Sequence, residues 1–418
     1  MHHWLTGSVQ RSGTALLSLF LLASSLAHAG GTFTQTGDMG SKRALHGAAL
    51  LPDGKVLVVG GISDFGVFVP TAELYDPASG TFSPTGSPVE ARMRPTVVSL
   101  ADGRVLVAGG LGGDDGSTYF SSAEIYDPLT GMFTATGDMT ARRYVASAAL
   151  LADGRVLVAA GFNRDDGPLT SADVYDPGTG QFTATGSLAL PRTEPKAVVR
   201  LVDGRVLIAG GSNEDGPIAT AELYDPVSGT FSQTTGDLVH PLEDHSLALL
   251  DDGKVLVVGG SDGGGTGFPI YYADAELFDP ATGLFATTGS LAFPREFTTA
   301  SRLPDGRILI AGGLHTGGGP GFGVVAEAEI YDPDSGLFTS AGDMVVPLDE
   351  PAAVVLQDRR VLLVGGFDFD NDLPTASAEL FTPNVVDAVF ANGFDPESAA
   401  MSGIDPAVVA MGTQTSQR

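Results

Sequence analysis

The sequence predicts an all-β fold: a seven-bladed β-propeller of four-stranded antiparallel blades, its ring closed by an N-terminal strand that completes blade seven. Three observations predict it. A unit of about 50 residues recurs along the chain. Each unit carries the same marks in the same order. The mark missing from the last unit stands ahead of the first one.

The first mark is an apolar run ending in a Gly pair: Lys55–Val59 and then Gly60-Gly61, followed by Gly109-Gly110, Gly210-Gly211, Gly259-Gly260, Gly312-Gly313 and Gly365-Gly366, with Ala160-Gly161 in the third unit. A strand ending without side chains lets neighbouring backbone approach closely. Ahead of each run lies Asp-Gly, at Asp53, Asp102, Asp153, Asp203, Asp252 and Asp305, which predicts a two-residue hairpin with φ > 0 at both turn residues. The seventh unit has Asp358-Arg359 instead. That turn should hold Arg359 in a left-handed conformation or take another shape.

The second mark is Tyr-Asp-Pro or Phe-Asp-Pro at Tyr75, Tyr126, Tyr175, Tyr224, Phe278 and Tyr331, where Asp opens a longer hairpin and Pro presets φ. The third is Gly-x-Phe, at Phe82, Phe133, Phe182, Phe231, Phe285 and Phe338. One unit therefore reads as four strands, in the first case 44–51, 55–60, 72–76 and 81–85. The inner runs, such as Val56-Leu57-Val58-Val59, are apolar throughout, as strands buried on both faces require. The seventh unit ends at Phe381-Thr382-Pro383 without Gly-x-Phe, and Gly31-Thr32-Phe33 supplies it from the N-terminus. Seven Phe marks then match seven Gly-pair marks and no sheet edge is left open.

Residues 1–29 read as a signal peptide: Arg11, an apolar stretch from Thr14 to Leu26, and Ala27-His28-Ala29 as a small-x-small cleavage site. The apolar stretch is too short to span a membrane comfortably, so the expected location is outside the cytoplasm, periplasmic or extracellular. The propeller is expected over 30–383, and 384–418 as a tail with a short latch at 387–394 and a disordered end. The chain has no Cys, so stability must come from packing and strand pairing. Its formal charge of −28 argues against nucleic acid or an anionic membrane surface as partner. A cationic ligand, a metal ion or a neutral sugar remains compatible with that charge; the expected partner is a carbohydrate or a protein or peptide ligand, and the expected state a monomer.

The Gly pair, the spaced Tyr-Asp-Pro and an Arg upstream of the first strand resemble the kelch family of propellers. The form Asp-Gly-Arg-Val-Leu-Val-Ala-Gly-Gly at 102–110 is similar to the propellers of the galactose and glyoxal oxidases. The resemblance covers nearly all of 31–383, with Phe standing where many kelch repeats carry Trp. It implies ligand binding at one mouth of the ring, between the loops that precede each first strand and those that follow each Gly pair. The oxidase relatives use a copper radical site with a Tyr cross-linked to Cys. With no Cys in the chain that activity is not expected.

In the first loop set Arg43, Arg92, Arg143 and Arg295 fall at equivalent positions, Arg192 is one residue off, and Leu242 and Leu348 replace Arg in units five and seven. The next position holds Glu194, Glu243, Glu296 and Asp349. The resemblance places these arginines on the binding face; the alternative is that each bonds carbonyls within the scaffold. In the second set, loops 261–273 and 314–326 are longest and bring Phe268, Tyr271, Tyr272 and Phe322. Aromatic faces beside carboxylates suit sugars or peptides, or else pack under the loops. His46, His240, His245 and His315 lie outside the signal region; His245 and His315 are candidates for the site. Asp368, Asp370 and Asp372 are the candidate ligands for Ca²⁺, which needs several oxygens. No other cofactor is expected.

The expected function is a secreted binding module, its mouth centred on units five and six. One alternative is a sugar-active enzyme, a mutarotase or glycosidase using Glu243 or Glu296 with His245 and Arg295. The other is a structural envelope or matrix protein.

Overall fold

The computed structural model describes residues 30–113, 116–193, 198–264, 268–317, 321–368 and 373–384. Residues 1–29 and 385–418, to which the signal-peptide reading and most of the tail reading apply, lie outside them. The architecture is all-β: among the described residues the one helical turn is Asp64–Gly66. Among the described residues no helix is long and apolar enough to cross a membrane.

The described strands include seven four-stranded antiparallel sheets, the arrangement a propeller fold requires. The first joins Gly47–Leu50, Val56–Val59, Ala72–Asp76 and Thr81–Pro84 in chain order. Sheets two to six repeat that order. In the seventh, Ala352–Val355, Val361–Val364 and Ala378–Pro383 are joined by Gly31–Gln35, which pairs antiparallel to Ala378–Pro383 with Phe33 opposite Phe381. Those two rings lie 4.9 Å apart, the spacing of Tyr75–Phe82 in the first sheet, so the displaced Phe mark does its expected packing.

The second strand of every sheet is wholly buried, as its unbroken apolar run predicted. It packs between sheets: Val56 and Val58 cluster with Leu362 and Val364, and Leu57 and Val59 with Val105 and Val107. The tyrosines of the second mark are buried with an outlet for the hydroxyl. Tyr75 bonds Thr36, Tyr126 bonds Thr85, and Tyr175 bonds Thr136, each at 2.9 Å, tying one sheet to the outer strand of the one before.

A second tie runs around the molecule. The amide of the later residue in each Gly pair donates to the backbone carbonyl at the Arg or Leu position of the next unit. These bonds are Gly61 to Arg92, Gly110 to Arg143, Gly161 to Arg192, Gly211 to Leu242, Gly260 to Arg295, Gly313 to Leu348 and Gly366 back to Arg43, all between 2.8 and 3.0 Å. The geometry explains the glycines: Gly60 and Gly61 have φ of 71° and 89°, and a Cβ on Gly60 would lie 2.4 Å from the carbonyl oxygen of Arg92. Arg192 makes the same bond as the others, so it holds the same place in its unit despite the one-residue offset in sequence.

Two local expectations are corrected. The Asp-Gly turns have φ > 0 at Gly but not at Asp: Gly54 (φ 86°) donates to the carbonyl of Leu51 at 3.0 Å, and the amide of Leu51 donates to the carbonyl of Lys55 at 2.8 Å. This is a three-residue hairpin with a left-handed glycine at its bulge. Asp is there because its Oδ1 accepts the amide two residues on, that of Lys55, at 3.1 Å. Arg359 does adopt the left-handed conformation, with φ 75°. The first strand of the first sheet is also shorter than expected, starting at Gly47 rather than Ala44. Leu45, at φ 57°, breaks the extended chain ahead of it.

Candidate functional site

The arginines sit inside the scaffold. Arg43, Arg92, Arg143, Arg192 and Arg295 expose essentially no surface. Arg43 donates from Nη1 to the carbonyls of Gly60 and Thr71, and from Nη2 to Thr71 Oγ1 at 2.8 Å and Glu73 Oε1 at 2.9 Å. Arg92 pairs in the same way with Glu124, Arg143 with Asp173, Arg192 with Glu222 and Arg295 with Glu329, at 2.8–2.9 Å. Burial pulls each guanidinium below its ordinary pKa while the partner carboxylate opposes that shift. The placement of Arg43, Arg92, Arg143 and Arg295 on a ligand face is therefore corrected. The fork is bonded within the scaffold and the remaining Nε of Arg43, Arg92 and Arg143, which has no partner, is itself buried, so these guanidinium groups are closed off from a ligand in solvent.

Units five and seven keep the carboxylate without the arginine. Leu242 and Leu348 are buried at the Arg position, and Glu276 and Glu379 are buried on the strand. Glu276 accepts the amide of Val239, and Glu379 that of Val345. Burial raises both pKa values, that of Glu379 to about 7.

The carboxylates of the next position share one backbone setting. Glu243, Glu296 and Asp349 form isolated bridges with Ser261, Leu314 and Phe367, the first residues after their own Gly pairs. Glu296 is buried, its Oε2 accepting from Ser261 Oγ at 2.6 Å, whereas Glu243 and Asp349 are half-buried. The residue bridged in unit four is Thr193, to Ser212, and Glu194 lies outside the described residues.

His245 is buried against the scaffold. Neither ring nitrogen has a hydrogen-bond partner, a Cβ on Gly210 would lie 2.6 Å from its Cε1, and burial lowers its pKa to about 4. With Arg295 bound to Glu329, the set proposed for sugar chemistry does not come together: its cation and its imidazole both point into packing. This corrects the assignment of His245 as a ligand-binding residue. His315 holds Pro294 O through Nδ1 at 2.9 Å, beside Phe293. Tyr272 packs on the core of the fifth sheet and stacks on His240 with centroids 4.2 Å apart, and Tyr271 bridges Ser261 through its backbone. Asp368 ends the short strand Phe367–Asp368, and Asp370 and Asp372 lie outside the described residues. Among the described residues no three His, Asp or Glu side chains are grouped to hold a metal ion.

The position that borders a cavity in several units is two residues beyond the arginines. Leu45, Arg94, Val145, Asp244, Phe297 and Glu350 all have φ between 46° and 57°, a conformation that costs a non-glycine residue about 1 kcal/mol or more. Each left-handed residue turns the chain into an innermost strand. Together, Leu45, His46, Arg94, Val145, Phe297 and Glu350 line a pocket of about 260 Å³ that draws on units one, two, three, six and seven. Arg94 reaches Glu350 across it at 2.9 Å, with both side chains largely but not wholly covered. Sequence reasoning placed the mouth at the positions just before this one. The available signal was the residue two past each Arg or Leu position, which runs Leu45, Arg94, Val145, Glu194, Asp244, Phe297 and Glu350 and so varies in charge and bulk from unit to unit.

Residues 92–140 match the family model of the kelch motif. A solved structure of a fungal alcohol oxidase of the AA5 family, in complex with copper, matches with a TM-score of 0.64 at 19% identity, covering 85% of this chain and 76% of that one. No curated protein matches the chain. At that identity the likeness is one of fold: residues 92–140 carry a kelch motif, and the chain shares its fold with this oxidase.

Proposed function

We propose that the seven sheets are the blades of one closed propeller, exported after loss of residues 1–29, and that it is a binding module for peptides at the mouth of its central channel. Supporting the ring are the seven amide–carbonyl bonds whose last member returns from Gly366 to Arg43, and the outer strand lent by Gly31–Gln35. The observation that carries the function is the Arg94–Glu350 pair, set in a pocket whose other lining residues include Leu45, Val145 and Phe297. An apolar wall receives one side chain of a peptide, and a cation and an anion side by side complement charges flanking it. A rigid scaffold carrying varied residues at one ring of positions is what a recognition surface needs.

A random peptide array probed with the mature protein tests this. Expected are saturable binders with an apolar residue beside a charged one, lost when Arg94→Ala and Glu350→Ala are combined and retained in Arg142→Ala. An array without saturable binders, or binders indifferent to the double substitution, overturns the reading.

A further inference from the structure

We propose a second site, separate from the channel mouth: the groove between the second and third units binds neutral oligosaccharides. It is a cleft of about 510 Å³, inside the range of roughly 300–1,000 Å³ typical of small-ligand sites. Glu90, Thr118, Tyr119, Arg142, Arg164 and Asp165 line it.

Both walls are built before any ligand arrives. On one side Thr118–Tyr119 pairs with Leu111–Gly112, which pairs in turn with Arg92–Met93. Under this small sheet the ring of Phe120 is buried, with the guanidinium carbon of Arg92 4.7 Å from its centroid. The other wall is fixed by Asn163, which is buried. Its Nδ2 donates to the carbonyl of Arg142 and to Asp166 Oδ2, both at 3.1 Å, and its Oδ1 accepts the amides of Asp165 and Asp166, both at 2.9 Å. Tyr119 is held by rings, edge-on to Tyr144 at 6.2 Å and tilted to Phe162 at 5.9 Å. A preorganised wall loses little entropy on binding.

The polar groups then select the ligand. Arg142 and Arg164 only donate, and Glu90 and Asp165 only accept. Arg142 and Asp165 are exposed and 3.5 Å apart. Two cations and two anions balance, in a chain whose formal charge is −28. A charged ligand gains no net field here and would still have to shed its water. A sugar hydroxyl both donates and accepts, so neighbouring hydroxyls can bridge guanidinium and carboxylate while the C–H face of a pyranose lies on Tyr119.

The test is calorimetric titration of the mature full chain with cellohexaose, xylohexaose and chitohexaose, with hexagalacturonate as the acidic probe and hexaglycine as the peptide probe. Saturable binding of at least one neutral hexasaccharide is expected, nearly unchanged from about 50 to about 500 mM salt. Tyr119→Ala and Arg164→Ala should each weaken it about tenfold or more, and Arg94→Ala should not. Arg164 is exposed, so its substitution should leave the melting temperature unchanged and separate lost binding from lost fold. Failure of all three neutral probes, binding that ignores both groove substitutions, or tighter salt-dependent binding of hexagalacturonate overturns the proposal. So does preference for hexaglycine. Each result is independent of the array experiment at the mouth.

Discussion

Glu379 and Leu348, both buried, hold the two positions that a carboxylate and an arginine occupy in five other units, so Glu379 lacks the guanidinium that its counterparts meet. Its Oε2 accepts the amide of Val345 at 2.8 Å, which helps the anion but does not replace the missing cation.

The first prediction follows from that carboxylate. Its folded pKa of about 7 lies above the ordinary value of about 4.3, so the fold binds its proton more tightly than the unfolded chain does. Its contribution to stability is complete below about pH 4.5 and is lost as pH rises to about 7. Glu379→Gln should therefore be more stable than the parent by about 1–3 kcal/mol at pH 8 and about equal to it at pH 4. Urea melts at the two values read the difference. An equal change at both would show that charge is not the cause.

His245 has the opposite sign. Its pKa falls to about 4 through burial, so the unfolded chain takes up the proton first and stability is lost as pH drops below about 6.5. His245→Leu should cancel about 2 kcal/mol of the acid sensitivity between pH 7 and pH 5. A variant that keeps the parent's full slope over that interval would exclude His245 as the source.

Arg43→Ala leaves Glu73 buried with only the amides of Gly40 and Ser41, and should cost about 3–5 kcal/mol. Arg94→Ala breaks a pair that retains some solvent and should cost about 1 kcal/mol or less. Denaturant midpoints of the two variants test the ranking. Equal losses would mean that the Arg94–Glu350 pair is structural rather than poised for a ligand.

Arg359 is exposed and left-handed, where Gly stands in the other six hairpins. Arg359→Gly should stabilise the protein by about 0.5–1 kcal/mol, less whatever the more flexible unfolded chain takes back. Gly54→Arg should cost a similar amount, since a Cβ there meets Gln357 Oε1 at 3.0 Å, the side chain that donates to the carbonyl of Pro52. A less stable Arg359→Gly would reveal a contact of the arginine worth more than its strain.

Deleting residues 31–36 removes the strand paired to Ala378–Pro383 and uncovers Phe381. On the proposed closure the truncated protein should aggregate through the bared edge and unfold over a broader range. Light scattering and a thermal melt decide: a monomer with the parent's melting temperature contradicts closure by this strand.

What the sequence determined by itself is whatever is settled by short-range backbone demands. Gly54 must be left-handed to close its hairpin, Asp53 must accept the amide of Lys55, and Gly60 must clear a carbonyl, so the units and their sheets are legible as marks. Even the loan of Gly31–Gln35 to the last sheet can be read, because Phe33 is the mark that Phe381 lacks. Side-chain direction is another matter. Arg43 and its counterparts stood at the right position and were assigned the wrong surroundings, because Glu73, 30 residues on, draws the guanidinium inward. A clue was present: Ala72-Glu73-Leu74-Tyr75 sets a carboxylate within an otherwise apolar strand, and a buried carboxylate needs a partner. Only the tertiary structure could bring Arg94 to Glu350, or set Tyr119 across a groove from Arg164. Arg94 and Glu350 are 256 residues apart, and no local pattern encodes which units lie within reach across the mouth; that is decided by how many sheets pack side by side and by the twist between them.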